Sequence, residues 1–128
     1  MMARIWRGVT PKAKAAEYVE YLKKTGVRDY RSTVGNLGVL ILLRPENEHT
    51  EFVVLSLWES WDALRSFAGD DVEAAKYYPE DAQFLLHLEP NVTHHEVTVG
   101  IADKALEFAA DLPGELGVAC PALTKTAQ

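Results

Sequence analysis

Apolar residues recur along this chain with two different periods. Over residues 12–25, Ala15, Tyr18, Val19 and Leu22 fall at the i, i+3, i+4, i+7 spacing of one buried helical stripe. Residues 2–9 are β-rich and end at Thr10-Pro11. There Thr10 is placed to cap the helix, and Pro11 can occupy its first turn without losing a needed N–H. Gly26 supplies the stop, and a polar loop follows. Two β-rich runs, GVLILLR at 38–44 and EFVVLSLW at 51–58, flank PENEHT and predict a β-hairpin. Ser60 then caps a second helix with Leu64, Phe67 and Ala68 as its buried stripe and Gly69 as its end. Asp70 and Glu73 set up a capping box for a further short helical piece, closed by Tyr77-Tyr78-Pro79. A turn through PEDAQFLL leads past Glu89-Pro90 to a last strand, VTHHEVTV, at 92–99.

The order is β-α-β-β-α-β, which predicts an α+β domain of the ferredoxin-like kind over residues 1–100. Residues 102–112 read as an extra helix, with Ala105, Leu106, Phe108 and Ala109 as its apolar side. Residues 113–128 carry no pattern, so 101–128 form a C-terminal helix and tail.

Neither hairpin strand alternates cleanly. Val39, Ile41 and Leu43 share one face while Leu40 and Leu42 share the other; Phe52, Val54 and Trp58 likewise oppose Val53, Leu55 and Leu57. Helices can cover one face of such a sheet. A second copy of the chain is the economical cover for the other, which predicts a homodimer.

Composition narrows the field. The 128 residues are 48% hydrophobic and 25% charged, the make-up of one domain able to bury its own core. A formal net charge of -6 argues against nucleic acid or an anionic membrane as partner, since either needs a basic patch. No apolar run is long enough to span a bilayer, and the opening MMARIWRGVT reads as a strand rather than a signal peptide, so a cytoplasmic protein is expected. The single cysteine, Cys120, allows no intramolecular disulfide. Asn91-Val92-Thr93 fits a glycosylation pattern without meaning in the cytoplasm, and GNLG at Gly35 is a turn into a strand.

The strand ending in Trp58-Glu59-Ser60, followed by WDALRSF, resembles the antibiotic-biosynthesis-monooxygenase-like family of the dimeric α/β-barrel superfamily, over residues 2–99. The resemblance implies a dimeric barrel with a pocket between sheet and helices. It also implies one of three roles: a cofactor-independent monooxygenase oxidising a small aromatic or quinol-like substrate with O2, a small-ligand binding or stress-associated domain without turnover, or a heme-binding or heme-degrading protein. In the alignment implied by Trp58-Glu59-Ser60, Phe67 stands where heme degraders carry a substrate-distorting Trp. Tyr77 stands where they carry the iron-binding His, and Trp6 lies near their strand Asn. These departures favour the reading without a cofactor.

The resemblance puts the aromatic cluster of 57–81 at or near the pocket wall. Trp58, at the end of a buried strand, and Phe67, on a helix stripe, read first as core, with Trp6 and Trp58 joining Phe67 as candidate walls. Trp61 reads as partly exposed or packed on the partner. Tyr77 and Tyr78 can offer a phenol to a substrate oxygen and a ring to its apolar wall. Arg4 projects to the same strand face as Trp6, either as a rim residue in an ion pair or as an anchor for an anionic ligand such as a phenolate. His94 and His95 are adjacent on a strand and point to opposite faces, so they cannot together hold a metal, and no metal is expected. One of them can face the pocket as a base. The expected catalytic set is His94 or His95, Arg4 and Tyr77; the expected substrate-binding set is Trp6, Trp58, Phe67 and Tyr78. His49 and His87 have no assigned role.

Overall fold

The computed structural model describes residues 1–103. The chain divides into a first unit, Met1–Thr98, and a second, Val99–Gln128, of which residues 99–103 are described and carry neither helix nor strand. Apart from its first two residues, the helix expected over 102–112 lies outside the described residues, as do the tail and Cys120.

In the first unit, β-branched and aromatic residues build β1 (Met2–Pro11), β2 (Asn36–Pro45) and β3 (His49–Trp58), and the chain returns for a short β4 (Thr93–Glu96). They form one four-stranded antiparallel sheet in the order β2-β3-β1-β4, the order a split β-α-β pair produces. The hairpin loop between β2 and β3 falls on residues 46–48, inside the expected PENEHT turn. A 3-10 turn (Lys12–Lys14) and the helices α1 (Ala15–Lys24), α2 (Gly26–Ser32), α3 (Trp61–Ala68) and α4 (Asp81–Phe84) complete the described elements.

Register decides which side chains enter the core. On the inner face Trp6 stands opposite Val54, Gly8 opposite Phe52, and Arg4 opposite both Ser56 and His94. Val54 and Phe52 meet the α1 stripe of Ala15, Tyr18 and Leu22 together with Phe84, and Trp58 meets Leu64 and Phe67 of α3. Phe52, Trp58 and Leu64 have no exposed surface, and burying each such side chain contributes roughly 1.5–3 kcal/mol. Gly8 is needed where it stands, because a Cβ there would run into the Trp6 ring. The outer face carries Ile5 opposite Leu55, with Leu40 beside Leu55 and Leu42 beside Val53; these side chains are half-buried or exposed.

Four expectations change. Thr10 does not cap a helix: β1 runs on through Pro11, Thr10 pairs with Thr50 in the ladder, and its buried Oγ1 has no hydrogen-bond partner among the described residues. Gly26 does not end the helical region. The break is at Thr25, whose hydroxyl donates to the Tyr21 carbonyl at 2.8 Å, and Gly26 opens α2 with its bare Cα facing the rings of Tyr30 and Tyr78. The supposed loop is therefore largely helix. The piece expected after Asp70 is not helical, because its backbone is engaged elsewhere. Ala75 N–H donates to the Pro90 carbonyl and Val92 N–H to the Glu73 carbonyl, while the Val72 and Ala74 carbonyls accept from Arg4. Finally, β4 spans only Thr93–Glu96: Val92, expected in it, gives its N–H to the Glu73 carbonyl, and beyond Glu96 a single backbone bond from Val97 N–H to the Met1 carbonyl follows.

Candidate functional site

A cavity of about 30 Å³ lies between the inner sheet face, α1, α2 and the irregular segment after α3, with room for about two water molecules. Arg4 and Trp6 reach it from β1, Tyr18 from α1, Tyr30 from α2, and Tyr77, Tyr78 and Asp81 from the segment beyond α3. Strand period places the first two together; α1's stripe aims Tyr18 inward. Phe67 also lines it. Trp58, His94 and His95 do not.

Arg4 is 2% exposed, yet no carboxylate pairs with it among the described residues. Nη1 donates to the Val72 carbonyl at 2.7 Å, Nη2 to the Ala74 carbonyl at 3.0 Å, and the guanidinium lies 5.6 Å from the Phe67 ring centroid. Nε has no partner among the described residues. Burial holds its pKa below the ordinary arginine value, but guanidinium remains charged at neutral pH.

Nη1 of Arg4 also lies 3.0 Å from His94 Nε2. A guanidinium can only donate, so Nε2 accepts and the imidazole proton sits on Nδ1. Burial first, then the Arg4 charge, lowers the His94 pKa, with Glu73 opposing. Trp61 meets His94 edge to face at 5.2 Å. His95 lies on the outer face, exposed, with Nε2 3.2 Å from Thr93 Oγ1. Of the two histidines, the inner one thus stands beside Arg4 rather than on the cavity, and its free lone pair is taken.

The tyrosines are held on both sides. Trp6 Nε1 donates to Tyr77 Oη at 3.2 Å, and Tyr77 donates onward to the Glu89 carbonyl at 2.6 Å. Tyr78 donates its hydroxyl to Asp29 Oδ2, and Lys76 Nζ approaches the same oxygen at 3.7 Å. Burial raises the pKa of Tyr77, of Tyr78 and of Tyr18, and pushes Tyr30 up to about 12 against the pull of Arg4. All four therefore stay phenols at neutral pH.

The group that sequence reasoning missed is Asp81. It is 3% exposed; its Oδ1 accepts from the Tyr18 hydroxyl at 2.9 Å and its Oδ2 from the Tyr78 N–H at 2.6 Å. Burial raises its pKa above the usual carboxylate value, although both hydrogen bonds pull it down. An Asp at the start of a helical turn ordinarily faces solvent, so the sequence carried no sign of its burial. Tyr18, read only as core, and Tyr30, in a segment read as loop, were missed for related reasons.

The aromatic cluster of 57–81 thus divides. Trp58 and Phe67 are core, packed on Tyr30 at ring-centroid distances of 6.2 and 4.7 Å, while Phe67 also joins Tyr77 and Tyr78 at the cavity. No group of three or more His, Cys, Asp or Glu among the described residues is arranged to hold a metal ion, and no described helix is long and apolar enough to cross a membrane.

The sequence matches no protein-family profile and no curated protein. Solved structures are similar in shape. A provisionally assigned antibiotic biosynthesis monooxygenase from Bacillus cereus superposes with a TM-score of 0.54 at 17% identity, over 80% of this chain and 97% of its own. NE2512, of unknown function, from Nitrosomonas europaea, gives 0.56 at 12% over 80% and 93%. The heme degrader MhuD from Mycobacterium tuberculosis, with two hemes bound in its active site, gives 0.50 at 19% over 80% and 100%. What this chain has in common with these antibiotic-biosynthesis-monooxygenase-like and heme-degrading structures is its fold, an α+β domain of the ferredoxin-like kind with helices on a four-stranded antiparallel sheet.

Proposed function

We propose that the cavity binds a small aromatic phenol or quinol-like molecule as its phenolate and that the protein oxidises it with O2 without a cofactor. The observation that carries this reading is Arg4: a buried guanidinium with neither a carboxylate partner nor an Nε partner among the described residues, lining a cavity walled by aromatic rings. Burying an uncompensated charge is costly, and an anionic ligand oxygen would supply the missing counter-charge. Phenolate formation raises the electron density of the ring, which can then give an electron to O2 directly. For an anthrone-type substrate, two C–H bonds of the activated methylene break, one oxygen atom becomes the carbonyl, and the other leaves as water. The protein's part is to hold the phenolate, receive its proton and exclude water.

An aromatic ring enters only if the walls part. On the side of residues 70–80, the side-chain ties that would have to give way toward α2 are Tyr78 and Lys76 on Asp29. The outer sheet face, with Leu40, Leu42, Val53 and Leu55, is in this reading covered by a second copy of the chain in a cytoplasmic homodimer.

The residues do not fit heme. Tyr77 is engaged by Trp6 and by the Glu89 carbonyl, and its phenolate form is disfavoured by burial. Binding without turnover is the second reading, favoured by the capture of the His94 lone pair by Arg4. Oxygen-electrode traces with a panel of reduced quinols and anthrones separate the two: protein-dependent O2 consumption abolished by Arg4→Gln supports the enzyme, and saturable binding with no consumption across the panel supports the binding domain.

A further inference from the structure

Given the reading of the cavity as a phenol site, we infer that its proton acceptor is Asp81 and that His94 has no such part. Asp81 lines the cavity, whereas His94 does not, and the accepting nitrogen of His94 is already occupied by Nη1 of Arg4. The hydroxyls of Tyr18, Tyr77 and Tyr78 each already donate their single proton to a neighbour. The Asp81 carboxylate receives two hydrogen bonds, from Tyr18 and from the Tyr78 N–H, and its oxygens can accept about four. It therefore keeps lone pairs for a ligand. Burial makes it a better base than an ordinary carboxylate.

The step balances within the cavity. The ligand O–H bond breaks and its electron pair stays on the ligand oxygen. The proton forms a new O–H bond on Asp81, which becomes a neutral acid. The cavity's net charge does not change, so no uncompensated charge is created in a low-dielectric interior. The titratable groups that face Asp81 are Tyr18 from α1, Tyr30 from α2, and Tyr77 and Tyr78 from its own segment. Arg4 and Lys76 are the cations on the same cavity wall.

4-Nitrophenol tests this, at a pH where the free probe is already phenolate. Calorimetric titration in buffers of different ionisation enthalpy reads the protons exchanged per molecule bound. A phenolate placed in the cavity beside an ionised Asp81 should draw a proton onto that carboxylate, so the wild type is expected to take up about one proton per probe at its optimum pH. Asp81→Asn should take up none, and His94→Gln should behave as wild type. Tyr18→Phe provides a second line if Asp81→Asn does not fold. Losing one hydrogen bond to the charged form raises the carboxyl pKa further, so the pH window of uptake should move upward. Uptake retained in Asp81→Asn, uptake lost in His94→Gln, an unmoved window in Tyr18→Phe, or no saturable nitrophenol binding would each overturn the inference. The oxidase chemistry fails separately: proton uptake with no O2 consumption on any quinol leaves Asp81 as the acceptor of a binding site. Full O2 consumption in Asp81→Asn would leave the enzyme but remove Asp81 from its proton step.

Discussion

His94 shows how one side chain can make the edge of the sheet sensitive to acid. Its neutral form accepts from Arg4, and its protonated form would place two cations 3.0 Å apart. The folded-state pKa lies below the ordinary value of 6.5, so between those two values the unfolded chain binds more protons than the folded one. Stability from this group is complete above about pH 6.5 and is lost as the pH falls toward the folded pKa. Wild-type protein should therefore lose melting temperature between pH 7 and pH 5 relative to His94→Gln, in which an amide oxygen can still accept from Arg4. Parallel melting curves for the two proteins across that range would count against the Arg4–His94 tie. Asp81, with a raised pKa, acts in the opposite sense: it is destabilising once ionised, so its cost is relieved as the pH falls, and it cannot mimic the His94 effect. At this scale the site was partly legible. Period-two alternation alone put Arg4 with Trp6 and set His94 against His95. Asp81 was hidden, because the burial of a polar residue in a turn depends on elements that meet it from elsewhere in the chain.

Among the elements, the segment after α3 departs furthest from its local sequence signals. Asp70 and Glu73 have the spacing of a capping box, but Gly69, at φ 88°, turns the chain, and the carbonyls of Val72 and Ala74 go to Arg4. One buried guanidinium and the strand-like bonds to Pro90 and Val92 thus outweigh a weak helical preference in a short stretch. The side-chain clasp to α2 consists of Tyr78 and Lys76 on Asp29. Removing it with Asp29→Ala should cost about 1–2 kcal/mol of global stability. Amide exchange should accelerate selectively within residues 72–80, while α1, β1 and β3 stay protected. Uniform acceleration across the unit, or none, would show that the clasp does not govern opening. The α1 stripe, the hairpin and the Ser60 cap, whose hydroxyl accepts from Ala63 N–H at 3.1 Å, matched expectation because each rests on contacts a few residues apart or on a repeat long enough to read. α2 did not, since its seven residues are too few to show a period and only Gly26 among them is fully buried.

At the level of the whole molecule, the outer sheet face frames the remaining prediction. Leu40, Leu42, Val53 and Leu55 lie side by side there across β2 and β3. Sedimentation at micromolar concentration should give a dimer for the wild type, and Leu55→Asp should give a monomer with unchanged secondary structure; a wild-type species of 14.2 kDa would end the dimer proposal. By itself the sequence determined the order of the strands and of α1 and α3, the two apolar faces of the hairpin and the face that Arg4 and Trp6 share, since all of these follow from side-chain direction along a regular backbone. Only the tertiary structure decided that Asp81 is buried beneath Tyr18, that His94 is bound to Arg4 and turned from the cavity, and that the chain from 70 to 80 gives up its helix. Each of these depends on residues more than sixty positions apart in the chain being brought within hydrogen-bonding distance, where desolvation and the need to pair every buried polar group outweigh local preference.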